Sequence, residues 1–104
     1  MSLTLAANHT LKAPGVAGGA SSSEITSDLI FVATSGGARE LTLCDPAEYI
    51  GVLEIVFYSD GGNLTVKHTS GSTTQMTNPG ILHALSDGSD WYVKVDGALS
   101  DMTA

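Results

Sequence analysis

The chain has 104 residues, one cysteine and a net charge of −7, eleven acidic side chains standing against four basic ones. A length of this order holds one domain with a modest core and leaves no material for a separate catalytic lobe. The four cations, Lys12, Arg39, Lys67 and Lys94, are scattered, so no basic stripe exists to neutralise phosphates and nucleic acid is not expected as a partner.

A single thiol, Cys44, excludes an intramolecular disulfide framework. Only 14% of the residues are charged, and Gly, Ser and Thr are abundant. With many β-branched residues, this favours an all-β protein over a helical one. The first residues lack the basic start and long apolar stretch of a signal peptide, and no run reaches membrane-spanning length. An intracellular product without a membrane segment is the expectation. Asn8-His9-Thr10 and Asn63-Leu64-Thr65 then read as chance sequons.

In chain order, residues 1–24 differ in texture from the rest. Leu3-Thr4-Leu5 leads through Leu11-Lys12-Ala13-Pro14-Gly15 into Ala17-Gly18-Gly19-Ala20-Ser21-Ser22-Ser23. Small polar residues this dense bury too little surface to offset ordering entropy. The segment reads either as a disordered tail or as an extended N-terminal arm that lays Leu3, Leu5, Leu11 and Pro14 across a neighbour, ahead of a folded domain over 25–104. The apolar sequence that breaks up the Gly/Ser linker favours the arm.

From Ile25 the strand signal is steady. Residues 25–34 contain the apolar run Leu29-Ile30-Phe31-Val32, followed by a Ser35-Gly36-Gly37 turn. Residues 39–44 alternate, with Leu41 and Leu43 inward and Glu40, Thr42 and Cys44 outward. Pro46 ends that strand, and one helical turn is expected there, capped by Asp45. Residues 52–58 and 63–66 flank Ser59-Asp60-Gly61-Gly62, which predicts a β-hairpin. In the first of these strands Leu53, Ile55 and Phe57 face the core, while Val52, Glu54, Val56 and Tyr58 form a second, mostly apolar face. A strand with apolar residues on both sides needs a second layer or another subunit over it. Ser70-Gly71-Ser72 turns into a polar edge strand over 73–77, and Asn78-Pro79-Gly80 turns into 81–85. Ser86-Asp87-Gly88-Ser89 leads into 90–95, where Trp91, Val93 and Val95 alternate with Tyr92 and Lys94. Turn signals every eight to twelve residues predict a small antiparallel β-sandwich or a jelly-roll-like barrel.

Nothing in the pattern carries catalysis. His9, His68 and His83 share no metal-ligand spacing, and Cys44 has no partner cysteine. Asp87-Gly88-Ser89-Asp90 lacks the carboxylate density of a calcium loop, so Asp87 is expected to hydrogen-bond backbone N–H groups while Gly88 supplies the bend. The glycine pairs lead into no helix and are turns rather than phosphate cradles. Trp91 reads as the core plug of its strand, with Tyr92 lying against a neighbour or solvent. No enzyme activity, cofactor or metal is expected.

The order of pieces from Leu41 to Gly97 carries a resemblance. LTLCDPAEY is followed by GVLEIVFYSDGGNLTV, a polar Thr/Ser/Gly hairpin and a closing LSDGSDWYV. This resembles the small β-domains of tailed-bacteriophage virion proteins found in capsid decoration (cement) proteins and tail-fibre modules, where a pattern like sDGs-x-W-y-V closes the sheet. It departs from that pattern at Cys44, where a small or Pro-like residue is more usual. The resemblance implies a homotrimer with a shared apolar interior, made in the host cytoplasm and bound to the major capsid protein on the outside of the head. It also implies a capsid-binding role for the N-terminal arm. The alternatives are a tail-fibre, baseplate or head-fibre adhesion module that binds host glycan, and a free-standing lectin-like sandwich.

Overall fold

The computed structural model describes residues 1–34, 37–57, 63–76, 80–95 and 100–101. Eleven strands appear there: β1 (Ser2–Thr4), β2 (Asn8–Lys12), β3 (Ser22–Glu24), β4 (Leu29–Ala33), β5 (Arg39–Thr42), β6 (Gly51–Phe57), β7 (Leu64–Lys67), β8 (Thr73–Met76), β9 (Gly80–Ser86), β10 (Trp91–Lys94) and β11 (Ser100–Asp101). They build a six-stranded sheet in the order β1-β4-β6-β9-β10-β11 and a five-stranded sheet in the order β3-β2-β5-β7-β8. The described residues include no α-helix, only a 3-10 turn over Pro46–Glu48.

Alternation of side chains decides what each sheet buries. Ile30 and Val32, then Leu53, Ile55 and Phe57, then Leu82 and Ala84, then Trp91 and Val93 line the inner face of the six-stranded sheet. Leu11, Leu41, Leu64 and Val66 line the inner face of the other, and both sets belong to one continuous core. The long apolar side chains contribute about 1.5–3 kcal/mol each when fully buried. Leu43 follows β5 and completes the layer.

The sheets are mixed rather than antiparallel. β4 runs parallel to both β1 and β6, and β2 runs parallel to both β3 and β5, with β5 parallel to β7. Antiparallel pairing is confined to the second half: β6 with β9, β9 with β10, β10 with β11, and β7 with β8. The chain passes from β4 in one sheet to β5 in the other, back to β6, and across again to β7. Parallel neighbours within a sheet cannot be joined by a tight turn. Between β4 and β6, and between β5 and β7, the intervening strand of the opposite sheet serves as the crossover, while residues 13–21 link β2 to β3.

Two sequence expectations change here. The hairpin expected over 52–66 is an arch, since β6 and β7 lie in different sheets and share no ladder. A glycine-rich reversal is compatible with either geometry. Each edge of β6 is already taken by a long apolar strand, β4 on one side and β9 on the other. The expected turn at 59–62, and Asn78 and Pro79 of the one expected at 78–80, lie outside the described residues, while Gly80 opens β9.

The loose arm expected over 1–24 is instead β1, β2 and β3, which extend one end of each sheet. Leu5 and Leu11 are buried in the core and Leu3 packs against it, while Pro14 is exposed in the loop after β2. Arg39 Nε donates to the Leu5 carbonyl at 3.2 Å, and His9 Nε2 lies 2.9 Å from Ser23 Oγ, tying β2 to β3. The small residues that gave the segment its disordered texture gather in the exposed 14–20 loop, whereas the few leucines fall where the core needs them.

Candidate self-association face

The segment after β5 fixes one end of the six-stranded sheet. Asp45 Oδ1 accepts from the Ala47 N–H at 3.0 Å and Pro46 opens the 3-10 turn, as a capped one-turn helix requires. Ser86 Oγ donates to the Pro46 carbonyl at 2.8 Å and Trp91 Nε1 to the Cys44 carbonyl at 2.8 Å. Tyr49 stacks on Trp91 with ring centroids 6.0 Å apart. β9 and β10 are thereby anchored from one end by the crossover between the sheets.

Cys44 was expected on the outer side with Glu40 and Thr42, yet it is buried. β5 ends at Thr42, so the strand alternation no longer governs position 44. Burial pushes the thiol pKa up, and Glu48 adds to the shift. A thiol held protonated in this way is a poor nucleophile near neutral pH. It borders a cleft of about 340 Å³ whose charged lining is Lys12, Asp45 and Glu48.

Among the described residues, the outer face of the six-stranded sheet gathers exposed large apolar side chains. Cross-strand register arranges it in rows. Phe31, Val56 and Ile81 form one row, continued by Ser2 on β1. Leu29, Glu54, His83 and Lys94 form the next, and Val52, Leu85 and Tyr92 the third. Phe31, Val52 and Ile81 are exposed at 37%, 45% and 44%, high values for large apolar side chains gathered on one sheet. Leu29, Val56, Leu85 and Tyr92 are half-buried. In the centre the His83 Nε2 stands 2.9 Å from Glu54 Oε2, with both side chains more than two-fifths exposed. In water such a pair contributes roughly 0–1 kcal/mol.

The five-stranded sheet presents the opposite character. Its outer rows are Asn8, Glu40, Thr65 and Gln75, and then Ser22, Thr10, Thr42, Lys67 and Thr73. Lys67 Nζ lies 3.7 Å from Glu40 Oε1 across that face.

Of the residues singled out from sequence, Val52, Glu54, Val56 and Tyr92 therefore share one surface, and Tyr58 lies outside the described residues. Trp91 is fully buried, so it offers no platform to a sugar. Phe31, Ile81, His83, Leu85 and Lys94 complete the face and were not named from sequence. The signal was present in the apolar run at 29–32 and in Ile81, His83 and Leu85, which alternate with buried Leu82 and Ala84. The loop at 86–90 forms as expected: Asp87 Oδ1 accepts from the Ser89 and Asp90 N–H groups, and Gly88 has φ of 97°. Those hydrogen bonds hold the Asp87 carboxyl below its usual pKa. Among the described residues, no group of three His, Cys, Asp or Glu side chains could hold a metal ion.

Comparisons with protein-family models, with curated proteins and with solved structures found no significant match to this chain.

Proposed function

We propose that this chain is a structural virion protein, a capsid decoration (cement) protein that associates as a homotrimer and binds the major capsid protein on the exterior of a phage head. The observation that carries the self-associating part is the apolar outer face of the six-stranded sheet, where Phe31, Val52 and Ile81 stand exposed. An apolar sheet face left in water is the signature of a surface that another chain covers. The virion assignment is supported by the likeness of LTLCDPAEY, GVLEIVFYSDGGNLTV and LSDGSDWYV to phage β-domains. Two sheets closing on one core are read as a β-sandwich. The polar outer face of the five-stranded sheet is left free to meet the shell.

In this reading the protein acts by binding rather than by chemistry. A ligand that binds only the assembled shell stabilises it by mass action, and many copies multiply the effect. Three capsid contacts on one trimer raise the effective concentration, so each can be weak.

Light scattering on the purified chain tests the first half: the expected mass is three times the 10.6 kDa protomer. Co-sedimentation with mature capsids of the parent phage tests the second, with saturable binding expected. A monomer at every accessible concentration would remove the self-association reading. A trimer that ignores capsids but labels host cells would replace it with the adhesion reading.

A further inference from the structure

The outer face of the six-stranded sheet is electrically divided. Its β4–β6 half carries Leu29, Phe31, Val52 and Val56 around one acid, Glu54. Its β9–β10 half carries Ile81, Leu85 and Tyr92 around two basic groups, His83 and Lys94. Glu54, His83 and Lys94 lie in one cross-strand row, which crosses the middle of the seven-residue β6–β9 ladder. Neighbouring strands lie ~4.8 Å apart, so Glu54 and Lys94, two strands removed, stand about 10 Å apart within the chain. His83 occupies the space between, and Lys94 is exposed with no ion pair among the described residues.

Symmetry decides which groups meet when copies cover this face. An axis along the charged row would set Glu54 on Glu54 and Lys94 on Lys94, like charge on like. An axis parallel to the strands sets the β4–β6 half of one copy on the β9–β10 half of the next. Apolar residues then meet apolar residues, and the acid meets the base. Both closed pairs and closed triplets satisfy this rule, because each copy offers one half to either neighbour.

We infer that copies of this chain associate about an axis parallel to β6 and β9, with Glu54 of one copy paired to the partner's Lys94. This rests on the self-association reading above and adds to it the orientation and the pairing. The occupant of the face is a second copy of the same chain, because each half carries the charge that complements the other. Glu54 is shared between His83 in its own chain and the partner's Lys94, which fixes which end of each face leads.

The test uses the full chain as Glu54→Lys, Lys94→Glu and the double variant, with association measured by light scattering against concentration at low salt. Far-UV circular dichroism at dilute concentration verifies the fold of each. Lys94→Glu is the cleaner single change, because it leaves the Glu54–His83 contact intact. Each single variant is expected to need about tenfold more protein to assemble, and the double variant to return close to wild type. Wild-type assembly by Lys94→Glu, or a double variant as weak as the singles, would overturn the inference while self-association itself stood. Val56→Asp, off the charged row, separates the remaining cases. Assembly lost in Val56→Asp but indifferent to the charge swap means that the face is used about a different axis. Normal assembly of Val56→Asp refutes the face altogether.

Discussion

Replacing Trp91 by Phe probes the join between the two halves of the fold. The indole is fully buried, its Nε1 donates to the Cys44 carbonyl at 2.8 Å, and its ring stacks on Tyr49 at an interplanar angle of 15°. A phenyl ring keeps the six-membered ring and loses the donor and the pyrrole edge. Leaving a buried carbonyl without its donor costs about 1–3 kcal/mol. A void of at least methyl size adds about 1 kcal/mol. The expected loss is therefore about 2–4 kcal/mol. A chain of 104 residues has an unfolding entropy near 0.22 kcal/mol/K, so the melting temperature should fall by roughly 9–18 °C. Trp91 is the only tryptophan, and tryptophan fluorescence disappears with it. Unfolding must be followed by far-UV circular dichroism in urea, at one fixed protein concentration because the proposed association would shift the apparent midpoint. A loss below about 1 kcal/mol would refute the claim that this hydrogen bond anchors the crossover.

Two further outcomes follow from buried titratable groups. Burial lowers the His9 pKa from its usual 6.5, so as the pH falls the unfolded chain takes up a proton before the native one does. Stability should therefore decline from about pH 6.5 down to the depressed native value and then level. Urea midpoints in that window should slope less in His9→Gln than in wild type, and equal slopes would sink the assignment. Cys44, buried and with its pKa raised, should resist iodoacetamide at pH 7.5 in the native state and react in urea. Rapid native alkylation, read by mass spectrometry, would contradict the burial.

Local chemistry was legible in the sequence. The inward sets Leu53/Ile55/Phe57 and Trp91/Val93 follow from a period of two, which needs no knowledge of partners. The Asp45-Pro46 cap and the Asp87-Gly88 bend follow from side-chain reach and a positive φ, both settled within four residues. Sheet membership was not legible. Nothing near Gly61 and Gly62 says whether the returning strand rejoins its sheet or crosses to the other. That depends on β4 and β9, distant in sequence, having already taken both edges of β6. The same distance hid β1 and β2, since Leu5 and Leu11 gain a core only once residues 29–43 surround them. The candidate face was half legible: Val52, Glu54, Val56 and Tyr92 could be named, but the register that adds Phe31, His83 and Lys94 is a property of the assembled sheet.

The passage of the chain between layers sets an order of events in folding. β7 with β8, and β9 with β10, pair across short gaps and close on themselves as soon as they are made. β1 finds its ladder only with β4, Ser2 lying opposite Phe31, and β2, paired locally with β3, joins the rest of its sheet only once β5 arrives. Such non-local contacts bear the loop entropy before any ladder forms, which slows folding towards the millisecond-to-second range. β1 and β2, made before the strands they join, are thus expected to be late to find their place, each waiting as a pliant thread until β4 or β5 gives it an edge.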